Sequence, residues 1–439
     1  MRPDAPRPTL LANITWSGLG QFFEFTLVFV SSIVLARGLG PDARGIYAII
    51  VTVANLTAVV LGNNAVFSSL TFLIGKKRYP ISKLGGLALW TALIPALLLT
   101  AILVWLPESV LQTYLPGAAA TQVRLLILWT LQRLIHGRVA AMLAGVDRIR
   151  LAVSISVSYA FADLLLQVYF LLVIGMGLEG GLRQLFFSGL LRGGISLLVL
   201  YSVFGINLRL ERSIVQDLLA YAGKYYFGSV SKQWLERADL YFVGLVAGTT
   251  AAGYYAVARG FATMITLVEP PIRQAIIPKV VAGDFKQAAK LVSRAFSAGF
   301  WLTTILALLA AILSPWIIPL VYGQAFVAAV PAFLLLLPSM VFLANLTVEV
   351  FFYYQLGRPE VPTSVVVGTA LLGIPILYLF TVHWGYLGTA LGTSVLAGVR
   401  AAAIIIAYLH LSRESLGQLF AIKRSELTIL SHMMKGSGR

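Results

Sequence analysis

Cysteine is absent from the 439-residue sequence, and charged residues make up only 11% of it. The absence of cysteine excludes a disulfide scaffold, a cysteine nucleophile and a Cys-ligated metal. The scarcity of charge goes with 59% hydrophobic residues and a mean hydropathy of +0.88, which lies outside the range of a water-soluble domain. The sequence therefore predicts an integral membrane protein and excludes a soluble enzyme.

Motifs for bound cofactors are also missing. The four histidines show no metal-ligand spacing with each other or with a pair of carboxylates. A glycine-rich phosphate loop before Lys-Ser or Lys-Thr does not occur either, so no nucleotide site is visible. We expect no cofactor and no nucleic-acid partner. Energy must then come from an H⁺ or Na⁺ gradient, the membrane potential or the gradient of the substrate.

Long apolar runs dominate the chain. About 20 helical residues cross a hydrocarbon core of about 30 Å, so these runs predict membrane-spanning helices rather than barrel strands. The twelve predicted spans cover residues 10–36, 45–74, 84–106, 121–144, 151–174, 182–204, 216–247, 251–278, 290–313, 327–355, 361–381 and 385–411. The sequence thus predicts an all-α membrane protein with twelve transmembrane helices.

The distribution of positive charge predicts the orientation. The net charge is +16, and most Lys and Arg residues outside the spans fall in the N-terminus, the C-terminal tail and alternate loops. The remaining loops hold only Arg37, Arg44 and Arg183. Because positive residues concentrate on the cytoplasmic side, both termini are expected in the cytoplasm.

An internal repeat divides the chain into halves. Its spacing is 208 residues, and its clearest matches are Gly40, Ala43, Gly45, Tyr47 and Ala48 with Gly248, Ala251, Gly253, Tyr255 and Ala256. Arg192 and Arg400 share the same spacing. The repeat predicts two pseudo-symmetric six-helix lobes, residues 1–210 and 211–411, followed by a cytoplasmic tail, 412–439. Parallel six-helix repeats are typical of transporters that rock two bundles about a central site.

Charged residues inside the spans are the strongest functional signal, because each one costs about 2.5 to 3.5 kcal/mol at mid-bilayer. Three arginines, Arg124, Arg138 and Arg273, are expected near helix ends, with their heads at the membrane surface. The deeper cations are Arg133, Arg192, Lys232, Arg259 and Arg400. Since they outnumber their local acidic partners, we predict a hydrated central cavity that binds an anion.

Intramembrane acids allow two interpretations. Glu236 lies one turn from Lys232, so a structural ion pair between them is favoured. Glu24, Asp163 and Glu349 have no opposite charge one turn away on their own helix. For these three, an ion pair between helices and a role in coupling transport to an ion remain equally open.

Helix breakers mark candidate hinges. Gly62 begins a Gly-Asn-Asn break in the second span, and Pro270 and Pro271 interrupt the eighth. Proline removes a backbone hydrogen bond and kinks a helix, so static kinks compete with working hinges at all three positions.

The segment Leu35–Ala48, with the sequence LARGLGPDARGIYA, resembles a signature of bacterial polysaccharide-repeat flippases. These Wzx-type flippases of O-antigen and exopolysaccharide pathways belong to the multidrug/oligosaccharidyl-lipid/polysaccharide exporter superfamily. Physically the segment is a tight turn, with Asp42 placed to cap the second span. Its degenerate copy at 248–256 and the twelve-span count extend the resemblance over nearly the whole chain.

The resemblance implies a V-shaped, alternating-access flippase in the bacterial inner membrane. Its substrate would be an undecaprenyl-pyrophosphate-linked oligosaccharide, moved from the cytoplasmic to the periplasmic leaflet. Candidate headgroup ligands are the five deep cations, because Arg forms charge-assisted bonds to phosphate. A glycan polymerase and a chain-length regulator would be partners of such a protein, together with the lipid bilayer.

Two other functions remain open at this level. A multidrug exporter of the same superfamily would share the fold but needs an acidic or apolar cavity. A membrane glycan polymerase or ligase is expected to carry a large periplasmic loop with catalytic residues, and the sequence contains no such loop.

Overall fold

The computed structural model of the chain describes residues 10–105 and 120–421, and these residues are almost entirely helical, with no strand among them. The helices are α1 (Leu10–Val60), α2 (Asn63–Gly75), α3 (Ile81–Trp105), α4 (Ala120–Gly145), α5 (Ile149–Gln167), α6 (Gly177–Val199), α7 (Arg212–Phe242), α8 (Thr249–Thr263), α9 (Glu269–Ala282), α10 (Phe285–Tyr322), α11 (Ala329–Phe342), α12 (Asn345–Val350), α13 (Glu360–Ser412) and α14 (Leu416–Phe420). Short π-helical turns extend α5, α6, α7 and α12, and a 3₁₀ segment, Met264–Val268, joins α8 to α9.

The helices account for the twelve predicted spans, which confirms the fold class. Two of the longest helices each contain two spans: α1 breaks at Gly40, and α13 breaks at Trp384 and Gly385. Seven helical segments of the described residues are long and apolar enough to cross a membrane by length and composition alone, including both of these. The more polar α4, α7 and α8 complete the count. Residues 106–119, between the third and fourth predicted spans, lie outside the described residues.

The chain forms two compact units, one ending at Ala256 and the other beginning at Val257. In the first unit, α2, α3 and α4 pack around an apolar core that includes Leu70, Leu84 and Met142. In the second unit, the core joins α9, α10, α12 and α13 through residues such as Val292, Phe351 and Tyr408. The predicted lobe limits, 1–210 and 211–411, stay a prediction.

Within the second unit, the beginning of the predicted tail packs against the helices. Ser415 caps α14 through a reciprocal capping box with Gln418. The ring of Phe420 lies 5.3 Å from that of Phe296, and the Trp301 indole donates a 3.0 Å hydrogen bond to the Phe420 carbonyl. Residues 422–439 of the predicted cytoplasmic tail lie outside the described residues.

The internal repeat has a structural counterpart in the first unit. Gly40 and Gly248, the two copies of one position, both adopt a backbone conformation that favours glycine, with φ of 70° and 91°. A Cβ built on Gly45 would lie 1.7 Å from the Thr249 carbonyl oxygen, and one on Gly253 would lie 1.9 Å from that of Pro41. Because 41 pairs with 249 and 45 with 253 in the repeat, the two copies cross each other reciprocally. We call this contact the glycine crossing.

Asp42 has a different contact from the one expected. Its carboxylate oxygen Oδ1 accepts hydrogen bonds from the hydroxyls of Thr249 and Thr250, the latter at 3.1 Å. The residue therefore joins the two copies of the repeat at the glycine crossing, and its role as a cap of the second span stays a prediction.

Candidate functional site

The break between α1 and α2 is braced by a buried arginine. Gly62 adopts a left-handed conformation, with φ of 82°, and Asn63 begins α2. Arg138 on α4 donates to the Asn63 carbonyl and side-chain oxygens at 3.1 and 2.9 Å, and to both oxygens of Thr91 on α3 at 3.2 Å. The sequence placed Arg138 at a helix end facing the headgroups, which is wrong, since the residue is only 1% exposed. A hinge role for Gly62 stays a prediction.

Replacing Arg138 with methionine is expected to destabilise the folded protein, because two partly buried oxygens of Asn63 would lose the donors that the guanidinium provides. Each such oxygen left unsatisfied costs about 1 to 3 kcal/mol. Lysine should rescue only part of the loss, since a single ammonium cannot reproduce the planar fork of donors. Thermal unfolding of the purified protein checks this, with Arg183→Lys on the exposed side of α6 as the control. Equal unfolding temperatures for Arg138→Met and wild type would contradict the brace.

An ion pair between α5 and α6 forms the centre of the polar interior of the first unit. The Arg192 guanidinium donates to Asp163 Oδ2 at 2.7 Å, and the Ser188 hydroxyl donates to Asp163 Oδ1. Both charged side chains are partly buried. Asp163 therefore has an opposite charge on the neighbouring helix, which sequence spacing along one helix could not show. Ion coupling through Asp163 stays a prediction.

Aromatic and polar side chains position Arg192. Its guanidinium carbon lies 5.0 Å from the ring centre of Tyr159, a cation–π contact. The Tyr159 hydroxyl donates to the Arg192 carbonyl at 3.0 Å and lies 3.3 Å from the hydroxyl of Ser196. His136 completes this layer, with its ring 5.3 Å from that of Tyr159. The sequence places Tyr159 on one helical face with Asp163, whereas it did not predict the supporting positions of Ser196 and His136.

Arg133 on α4 is a partly buried cation that forms no ion pair within the described residues. It lies within electrostatic range of Arg192 and Arg237, and its buried Nε has no hydrogen-bond partner. Glu24 on α1 is also partly buried and lies within range of Arg192. We call Arg133, Arg192, Arg237, Glu24 and Asp163 the cation cluster. Because Arg133 has no ion pair in the described part of the chain, the arrangement favours an anion beside it.

Lys232 and Glu236 on α7 are both exposed, and no ion pair between them occurs in the described residues. The sequence favoured such a pair one helical turn apart, which is wrong. The Glu236 charge acts on Arg237 instead. Lys232 lies on the same helix as Arg237, a member of the cation cluster. A contact between Lys232 and the substrate stays a prediction.

The second unit holds the other arginine of the repeat. Arg400 on α13 donates to Glu349 Oε1 on α12 at 2.8 Å, and each residue is 7% exposed. Both repeat-related arginines therefore pair with a carboxylate, but the carboxylates lie on non-equivalent helices. Arg259 on α8 is partly buried and interacts with other residues of the structure. Substrate contacts by Arg259 and Arg400 and coupling through Glu349 stay predictions.

The two prolines that were predicted to interrupt the eighth span lie at the beginning of α9. The 3₁₀ segment Met264–Val268 ends where α9 starts, and Pro270 and Pro271 occupy the first turn of α9. Proline is tolerated there because the N–H groups of the first helical residues have no acceptor within the helix, so none is lost. The change from α-helical to 3₁₀ geometry thus lies ahead of the prolines, and their role as hinges stays a prediction.

Comparison with known proteins places these features in context. A family model described as polysaccharide biosynthesis protein matches residues 10–282. The lipid II flippase MurJ, in an inward closed conformation, has a similar structure with a TM-score of 0.79 and 14% identity, covering 97% of this chain and 93% of MurJ. No curated protein sequence matches the chain.

Multidrug transporters also share the fold. The inward-facing conformation of a multidrug resistance MATE family transporter of the MOP superfamily has a TM-score of 0.70 and 15% identity, over 94% of this chain and 96% of that one. A MOP superfamily transporter from Pyrococcus furiosus has a TM-score of 0.61 and 15% identity, over 94% and 97%. At such low identity these structures show a shared fold and no more.

Proposed function

Because the chain belongs to the polysaccharide biosynthesis protein family, we propose that it flips an undecaprenyl-pyrophosphate-linked oligosaccharide from the cytoplasmic to the periplasmic leaflet. The match covers residues 10–282, and the fold is that of membrane flippases and transporters, not of enzymes. The chain is a multi-pass membrane protein. Its transport would follow alternating access, with the glycan passing between the lobes while the lipid tail stays in the bilayer.

Arg133 carries the substrate proposal. Its guanidinium is partly buried, forms no ion pair in the described part of the chain, and lies within range of two further arginines. Cations gathered in this way repel one another, so a bound anion would stabilise the cluster. Pyrophosphate carries about two negative charges and accepts several hydrogen bonds from guanidinium groups. The proposed headgroup site therefore comprises Arg133, Arg192 and Arg237, with Lys232, Arg259 and Arg400 as further candidates.

The membrane, the partner proteins and the energy source of transport are part of the same proposal. We place the protein in the bacterial inner membrane with both termini in the cytoplasm, which rests on the distribution of Lys and Arg. A polymerase and a chain-length regulator of an O-antigen or exopolysaccharide pathway would act with it. An inside-negative potential is worth about 2.3 kcal/mol per charge per 100 mV, so it could return an empty cationic cavity toward the cytoplasm.

One alternative has specific support. A MATE family transporter shares the fold, so export of small molecules is the second candidate function. Organic cations would meet repulsion at Arg133, which lies within range of two further arginines, and this favours the glycan lipid. A polymerase or ligase has no support from the comparisons.

Deleting the gene is expected to make one lipid-linked saccharide accumulate on the inner leaflet of the cytoplasmic membrane. Mass spectrometry of extracted lipids identifies it, and restoring the gene should remove it. Increased sensitivity to cationic drugs, with lipid-linked saccharides unchanged, would support the multidrug alternative instead.

A further inference from the structure

Glu269 is a buried acid in the second unit that the predicted ion-coupling residues did not include. It is the first residue of α9 and only 3% exposed. The Thr303 hydroxyl on α10 donates to its Oε1 at 3.0 Å, and the Thr347 hydroxyl on α12 donates to its Oε2 at 3.4 Å. Three helices therefore place oxygen atoms around one carboxylate.

This carboxylate lacks a bonded counter-ion. No ion pair involving Glu269 occurs in the described residues, and the charge that acts on it is that of Arg273, one turn along α9. Helices α10 and α12 contribute hydroxyls to it, and the acid on α12, Glu349, is paired with Arg400. An ionised carboxylate buried without a counter-ion is expensive, so such a group takes up a proton or binds a cation.

The backbone just before α9 provides a further oxygen atom near Glu269. The Thr266 carbonyl accepts from the Glu269 N–H. Pro270 and Pro271 have no N–H, so the carbonyl of Leu267 loses the donors that an uninterrupted helix would give it. Interrupted helices of this kind are where transporters bind coupling ions. Space beside the carboxylate depends on Gly299, because a Cβ there would lie 2.9 Å from Glu269 Oε1.

We propose that Glu269, Thr303 and Thr347 form a binding site for a monovalent cation, Na⁺ or H⁺. Four side-chain oxygens and no nitrogen suit a hard cation, and the same carboxylate can hold a proton. Binding itself does not depend on the substrate, whereas its use to drive flipping rests on the proposed function. Among the acids predicted to couple transport to an ion, Asp163 and Glu349 already hold arginine partners, which makes Glu269 a better coupling candidate than either.

Thermal unfolding of the purified full-length protein tests the site. For a Na⁺ site, wild type should be more stable in NaCl than in KCl of equal ionic strength. For a proton site, stability should fall as pH rises through the range where the folded protein releases its proton, without a preference for sodium. Glu269→Gln should remove either response. Thr303→Val should weaken ²²Na⁺ binding roughly tenfold or more if sodium is the ligand.

Glu360→Gln, an exposed acid of the same unit, is the matched control and should keep the wild-type response. If Glu269→Gln does not fold, Gly299→Ala and Thr303→Val carry the test. The proposal is overturned if Glu269→Gln, or both of these variants in its place, respond to sodium and pH as wild type does. Because ion binding is measured without glycan, a protein that binds the ion but flips no glycan would count against the proposed function alone.

Discussion

Replacing Arg133 with glutamate is expected to abolish glycan export while leaving folded protein in the membrane. The substitution puts a negative charge beside the proposed pyrophosphate position, where the field of Arg192 and Arg237 now favours an anion. Two unit charges 4 Å apart interact by about 4 kcal/mol at an effective dielectric of 20, so exchanging attraction for repulsion changes headgroup affinity by several orders of magnitude. Complementation of a deletion strain, with membrane protein levels measured in parallel, checks this.

Arg209→Glu provides the control for the Arg133 experiment. Arg209 is exposed, lies between α6 and α7, and undergoes the same change of two charge units outside the cation cluster. It should complement fully. Arg133→Lys, which keeps the charge but not the planar fork, should retain partial export. Full complementation by Arg133→Glu at normal protein levels would contradict the anionic-headgroup site.

Replacing Gly45 with leucine is expected to prevent folding of the first unit. A Cβ at this position would lie 1.7 Å from the Thr249 carbonyl oxygen and 2.9 Å from the Gly253 nitrogen, both backbone atoms that cannot move aside alone. The two copies of the repeat would have to separate at the glycine crossing, at an expected cost of about 4 kcal/mol or more. Little folded protein should be found in membranes.

The matched control for the glycine crossing is Gly223→Ala. Gly223 lies on α7, and nothing is within 4 Å of a Cβ built there. Alanine in a helix is more stable than glycine by about 0.8 to 1.0 kcal/mol, so this variant should accumulate at least as well as wild type. Wild-type levels and unfolding temperature for Gly45→Leu would mean that the repeat copies do not meet closely.

Hydropathy and the repeat were enough to predict the helices and the turn at Gly40 and its copy at Gly248. Twelve apolar runs needed only the bilayer thickness as a criterion, and Gly40 and Gly248 stood out because glycine recurred where most residues did not. Contacts between helices were harder to predict. Arg192 and Asp163 lie on different helices, and spacing along a sequence shows only residues that share one helix face.

Burial explains the two clearest errors. Arg138 looked like a residue near a helix end, but its partners are the oxygens of Asn63 and Thr91, which no charge pattern reveals. Glu269 was overlooked as a coupling residue because its partners are threonines on α10 and α12. The sequence did contain a signal for Glu269, because a carboxylate directly before two prolines marks the start of a helix. An acid that is buried at such a position is expected to have a specific structural or functional role.

The central claim, flipping of a pyrophosphate-linked glycan, is tested most directly in liposomes containing the purified protein. A fluorescent undecaprenyl-pyrophosphate oligosaccharide is placed in both leaflets, and a reagent that cannot cross the membrane reports the fraction exposed outside. Complete modification of the lipid is predicted with wild-type protein, against about half with Arg133→Glu or empty liposomes, and less flipping is expected for the same glycan on a lipid without pyrophosphate. Modification that stops at half with folded wild-type protein, or equal flipping of both lipids, would contradict the claim.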